Sequence, residues 1–294
     1  PCAAVPSHAG ATTMTIWQVS RFQIDLAVPR IMGIVNVTPD SFSDGGDCLD
    51  PAAALQRCEQ LIADGAHILD IGGESTRPGA PTLSPMEEWR RLQPVLQVAL
   101  TLGVPVSVDT CKTEVMARAL DLGVDIINDI KALTTPGAEA AVVRHGQCGI
   151  CLMHMQGDTP ATMQQQVQDT DVVGDVLSFL QARVRALQEQ GVALQRLTLD
   201  PGIGFGKSPE HNVDLMARQS ELSILGLPWL LGWSRKSTLG VITGRPVEQR
   251  LAASLAAALA CITRGASVIR VHDVAETSDA LRVWQAAGLV PSRG

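Results

Sequence analysis

The chain has 294 residues, 46% hydrophobic and 18% charged, which leaves ample apolar surface for a folded core and no compositional sign of disorder. Its net charge of -7 at pH 7 and pI near 5.4 argue against a nucleic-acid partner, which needs a basic face, so an anionic substrate requires a local cluster of cations. The longest apolar helical stretch, 251–263, is too short to span a bilayer, and residues 1–13 lack the basic and apolar regions of a signal peptide; a cytoplasmic protein with a disordered extension before Met14 and no membrane partner is expected.

Residues 15–28 alternate weakly between polar and apolar and predict a short hairpin. Eight apolar runs follow, at 31–37, 67–71, 104–108, 125–128, 149–154, 197–199, 229–233 and 267–271, mostly continuous, as in strands covered on both faces. Helical stretches such as 51–64, 113–122, 171–190 and 247–264 separate them. This alternation predicts a single (β/α)8 TIM barrel over residues 14–294, rather than an open sheet, with the hairpin plugging its N-terminal end. The seven cysteines, an odd number scattered through apolar segments, read as reduced and buried. Cys148 and Cys151 have CxxC spacing but lie on a predicted strand without a second pair, which argues against a metal or redox role.

Asn36, Asp70, Asp109, Asn128, His154, Asp200, Lys236, Arg270 and His272 fall at the C-terminal tips of those strands, where barrel enzymes carry their active sites. Helix capping explains any one of them, but not a polar group at almost every tip. Residues 38–46, TPDSFSDGG, expose Phe42 on a polar loop and read as a lid. Residues 76–85, TRPGAPTLSP, hold one cation, Arg77, on a proline-stiffened loop suited to an anion. DPGIGFGK, 200–207, fits neither the Walker nor the dinucleotide spacing, so its glycines are expected to turn the chain tightly beside a ligand. In GWSRKS, 232–237, Lys236 and Ser237 stand where the seventh strand yields to a helix whose free N–H groups suit a carboxylate or phosphate. Arg270 and His272, two apart on the last strand, are expected on one side as a two-cation clamp for pyrophosphate.

Taken in order, IMGIVNVTPDSFSDGG (31–46), ILDIGGESTRPG (68–79), VSVDT (106–110), IINDI (126–130), LDPGIGFGK (199–207), GWSRKS (232–237) and IRVHD (269–273) resemble the motif series of bacterial dihydropteroate synthases, pterin-binding TIM-barrel enzymes. The resemblance implies an alkyl-group transferase of folate biosynthesis. Such an enzyme condenses 6-hydroxymethyl-7,8-dihydropterin pyrophosphate with p-aminobenzoate, releases pyrophosphate, is a sulfonamide target and forms a homodimer. By the same resemblance Asp109, Asn128, Asp200, Lys236, Arg270, Met153 and Phe205 bind the pterin, and Asn36, Arg77, Arg270 and His272 hold the pyrophosphate. Thr76, Arg77, Pro78, Phe42 and Ser237 take the aminobenzoate, and Asn36 shares Mg2+ with the pyrophosphate.

The implied chemistry is a dissociative, SN1-like displacement served by Asp109, Lys236, Arg270 and Asp44, with Asp44 stabilising the cation and no covalent nucleophile. Pterin-binding methyltransferases acting on methyltetrahydrofolate should lack the two loops and the SRKS and RVHD segments. A non-catalytic homologue should have lost some of them. Trp233 and Lys131 depart from the motif pattern, and Trp233 is placed to reshape the aminobenzoate wall.

Overall fold

The computed structural model describes residues 14–37, 51–75, 82–157, 163 and 171–289. A hairpin of β1 (Ile16–Val19) and β2 (Phe22–Asp25) comes first. The alternation then runs β3 (Arg30–Asn36), α1 (Pro51–Ala63), β4 (Ile68–Gly72), α2 (Pro85–Ala99), β5 (Val106–Asp109), α3 (Thr113–Leu122), β6 (Ile126–Asp129), α4 (Ala138–His145), β7 (Gly149–Met153) and α5 (Val172–Glu189). It continues with β8 (Leu197–Asp200), α6 (Pro209–Ala217), β9 (Leu230–Leu231), α7 (Ser237–Thr243), α8 (Leu251–Thr263), β10 (Val268–Val271) and α9 (Val274–Ala286). β3 to β10 form one parallel sheet in the order β8-β7-β6-β5-β4-β3-β10-β9. A parallel bridge between Leu199 and Trp229 joins its two ends, giving the expected barrel.

Period-two alternation sends neighbouring strand residues to opposite faces, and both faces are buried here, which is why the strand sequences read as unbroken apolar runs. Ile31, Val35, Ile71, Val108, Ile127, Ile150 and Leu199 belong to the outer layer under the helices. Met32, Ile68, Ile126, Cys151, Leu230 and Val268 form an inner cluster with Trp17, Val19, Ile24 and Leu26 of the hairpin segment. The hairpin is therefore the floor of the barrel. Trp17 is fully buried and its Nε1 donates to the Arg196 carbonyl at 2.9 Å. In the hairpin turn Arg21 grips Asp125 through Nε and Nη2 at 2.9 and 2.7 Å. Gly149 allows this closeness, since a Cβ there would lie 2.4 Å from Val19 Cγ1.

Helix starts follow local signals. Ser84 and Ser208 cap α2 and α6, each Oγ accepting a backbone N–H at 3.2 Å, and a proline follows each cap. Cys148 and Cys151 belong to the outer and inner layers respectively, so their spacing does not bring the thiols to one face. Two expectations are corrected. The strand expected over 229–233 is only Leu230–Leu231, because the chain turns away after Leu231 and buries Trp233 in the outer layer. The helix expected from 247 begins as a 3-10 turn, Val247–Gln249, ahead of α8. No helix among the described residues is long and apolar enough to cross a membrane. Residues 1–13, together with Phe42, Asp44, Thr76, Arg77 and Pro78, lie outside the described residues.

Candidate active site

Parallel strands deliver their C-terminal ends to one rim of the barrel. Asp109 ends β5, Asn128 is next to last in β6, Met153 ends β7, Asp200 ends β8 and Arg270 is next to last in β10. The Arg270 guanidinium donates from Nε to Asp70 Oδ2 at 2.6 Å and from Nη2 to Asp109 Oδ2 at 2.7 Å. Asn128 Nδ2 donates to the same Asp70 oxygen at 3.2 Å. Asp200 Oδ1 accepts the Gly202 N–H at 2.7 Å. Beside these polar groups Met153, Phe205, Ile130 and Met163 pack together, flanked by Cys111 and Met155. The pairing of carboxylates and an amide with an apolar cluster suits a flat heterocycle with a polar edge.

The loop after β8 is built for close approach. Gly202 and Gly206 have φ of +71° and +67°, and a Cβ at either would meet a backbone carbonyl oxygen, of His154 at 1.8 Å and of Gln156 at 2.0 Å. Buried Lys207 ties the loop down by donating to the carbonyls of His154, Gly202 and Phe205 at 3.2, 3.0 and 3.1 Å. That fixes Phe205, whose ring lies 4.3 Å from Lys236 Nζ. Lys236 is the N-cap of α7 and exposed Ser237 its first residue. The turn before them needs Arg235 at φ +61°, held by its backbone N–H to Ser254 Oγ and by its Nε to Asp273.

Burial sets most of the charge states. It raises Asp200 above the usual carboxylate range, opposed by the Gly202 N–H and by Lys236. Asp109 is raised by burial, with Arg270 opposing and Asp70, Glu88 and Asp129 reinforcing. Lys236 is lowered to about 8 by burial and then by Arg270.

His272 is pushed down to about 3 by burial, then by Arg270 and Arg235. Its Nδ1 lies 3.0 Å from Ser234 Oγ. It is therefore neutral near pH 7, and the expected two-cation clamp becomes one cation, Arg270, and one uncharged imidazole.

Asn36 ends β3 and is exposed. His154 packs edge-on against Phe179 with ring centroids 5.2 Å apart, so it serves the outer wall rather than the rim. Trp233, buried under the helices, does not border the mouth. Ile130 and Met163 had no role assigned from sequence. Ile130 was visible only as the last residue of IINDI, and Met163 carried no signal.

A family model described as "Pterin binding enzyme" matches residues 32–272, a span that contains the described rim residues Asn36, Asp70, Asp109, Asn128, Asp200, Lys236, Arg270 and His272. The dihydropteroate synthase of Neisseria meningitidis serogroup B is 52% identical over 280 residues, covering 93% of this chain and 98% of that one. The chain belongs to the dihydropteroate synthase family. A solved dihydropteroate synthase from Xanthomonas albilineans with 4-aminobenzoic acid superposes with a TM-score of 0.84 at 48% identity, covering 92% of this chain and 96% of that one. Another from the same organism, in complex with 7,8-dihydropteroate, gives 0.81 at 45% identity over 92% and 97%. Membership of the dihydropteroate synthases makes the chain an enzyme of dihydropteroate formation and decides against the methyltransferase reading.

Proposed function

We propose that the enzyme joins 6-hydroxymethyl-7,8-dihydropterin pyrophosphate to p-aminobenzoate by a dissociative displacement on the rim formed by β5, β6, β8 and β10. The observation that carries the pterin assignment is the convergence of Asp109, Asn128 and Asp200 beside the Met153 and Phe205 cluster. A 2-amino-4-oxo ring offers adjacent N–H donors that such acceptors satisfy in pairs. Lys236 would meet the ring carbonyl and N5 side, and Arg270 would reach the ring face and the pyrophosphate. The Xanthomonas structures with 4-aminobenzoic acid and with 7,8-dihydropteroate support the acceptor and the product.

In the displacement the CH2–O bond breaks and its electron pair leaves with pyrophosphate. The positive charge spreads into the pterin, where Asp109 and Asp44 would stabilise it. The neutral arylamine nitrogen then bonds to the methylene carbon and gives up a proton, so no enzyme nucleophile is required. Arg270, Arg77, His272 as an uncharged N–H donor, and Asn36 would hold the leaving group. Ser237, with Thr76, Arg77, Pro78 and Phe42, would receive the aminobenzoate carboxylate and ring.

Magnesium fits as a passenger of the substrate. Exposed Asn36 offers one hard oxygen, and no cluster of three His, Cys, Asp or Glu exists among the described residues; this suits an ion that keeps its waters and binds mainly to phosphates. When bound it would neutralise charge on the departing diphosphate. A cytoplasmic homodimer completes the proposal, resting on likeness to the family.

The test is pyrophosphate release measured with each substrate alone and with both. Release that needs the pterin substrate, is accelerated by p-aminobenzoate and then yields dihydropteroate by mass is expected. Absence of dihydropteroate when both substrates are present overturns the proposal.

A further inference from the structure

Asp70 lies within β4 and is fully buried, a costly place for a carboxylate unless it is paired. Both of its partners belong to the pocket: Arg270 Nε at 2.6 Å and Asn128 Nδ2 at 3.2 Å, each on Oδ2. Its Oδ1 accepts from no described group. A carboxylate placed only to join strands would be expected to use both oxygens. This one spends a single oxygen on two side chains that face the ligand position.

We infer that Asp70 is a positioning residue that determines what the pterin pocket reads, by fixing the Asn128 amide and the Arg270 guanidinium from behind. A carboxylate only accepts, so Asn128 must turn its NH2 toward Asp70 and keep its oxygen as the atom that meets a ligand. Together with Asp109 and Asp200 the pocket edge then consists of acceptors. Such an edge favours a 2-amino ring and opposes its 2-oxo analogue, which brings a carbonyl where a donor is wanted. Without Asp70 the amide is free to turn over and offer NH2 to that carbonyl.

The guanidinium is divided in the same way. Its Nε arm ends on wholly buried Asp70, and its Nη2 arm ends on Asp109, whose side chain is 13% exposed. The Asp109 arm is the one a ligand can exchange. Asp109 is faced by Arg270 from β10, Asp70 from β4, Glu88 from α2, Asp129 from β6 and Lys236 ahead of α7. Asp70 is one of the groups holding its proton on, so losing that charge moves the titration of Asp109 to lower pH.

The inference rests on the pterin assignment, and two variants separate the two. In Asp70→Leu, which removes the acceptor that Asn128 and Arg270 share, the preference for a 2-amino pterin over its 2-oxo analogue should shrink by about tenfold, the scale of one buried hydrogen bond. The acid limb of kcat/KM should move to lower pH, and KM should rise for the pterin substrate but not for p-aminobenzoate. Asp200→Asn, run in parallel, tests the pocket itself: unchanged pterin affinity there removes the assignment and this inference with it. Lost affinity in Asp200→Asn with wild-type discrimination and acid limb in Asp70→Leu leaves the pocket standing and overturns the role of Asp70. Should Asp70→Leu fail to fold, the wild-type Arg270 Nε–H resonance, assigned by its loss in Arg270→Lys, gives a second reading. Exchange that is slow without pterin and stays slow when pterin binds is expected, and fast exchange in either state overturns the inference.

Discussion

Lys236 stands at the start of a helix, beside Arg270 and against the ring of Phe205, and two of those three surroundings work against its charge. Its ordinary value is lowered to about 8, so the ammonium is present below that pH and lost as pH rises through it. If the charge is needed for turnover, kcat/KM should fall by half near pH 8. Lys236→Arg, which keeps a charge to much higher pH, should carry the alkaline limb upward in the same pH series. Asp200→Asn presents a donor where one of two acceptor oxygens stood. Pterin binding should weaken by about 2 to 3 kcal/mol in calorimetric titration, with little change in thermal unfolding, because an amide oxygen still accepts from Gly202. The positions of Asp109, Asn128, Asp200 and Arg270 on the rim were legible in sequence because strand ends are. Their partners were not: Asp70 and Arg270 are 200 residues apart. Nor was the fate of residues just past a strand end: burial beside Arg270 and Arg235 leaves His272 uncharged, and Trp233 packs in the outer layer.

At the scale of elements, the hairpin separates stability from chemistry. Trp17 fills the floor at the end opposite the rim, so Trp17→Ala should cost about 3 to 5 kcal/mol of folding free energy. Denaturant titration checks that loss, and kcat/KM per folded molecule should stay at the wild-type level. Unchanged stability would mean that the hairpin rests on the barrel without closing it. The strands and the hairpin could be read from periodicity alone, since inner and outer burial leaves unbroken apolar runs in the barrel and alternation in the hairpin. The target of the hairpin could not. It depends on Asp125 receiving Arg21 from 104 residues away and on the missing side chain of Gly149.

The whole molecule carries a net charge of -7, so the diphosphate substrate proposed for it would depend on Arg270, Lys236 and the magnesium proposed to arrive with that substrate. Chelation of magnesium should therefore stop turnover while leaving the thermal midpoint unchanged, a contrast that scanning calorimetry and the release assay resolve together. The ring that supports these groups is not uniform. Seven of its junctions are laddered, whereas the one between β8 and β9 rests on the Leu199 and Trp229 bridge, and β9 itself has two residues. A hoop opens at its thinnest joint. Deuterium should enter the backbone amides of Leu199 and Leu231 sooner than those of Ile71 or Val108 at the far side, and the same seam should be the last to close as the chain folds.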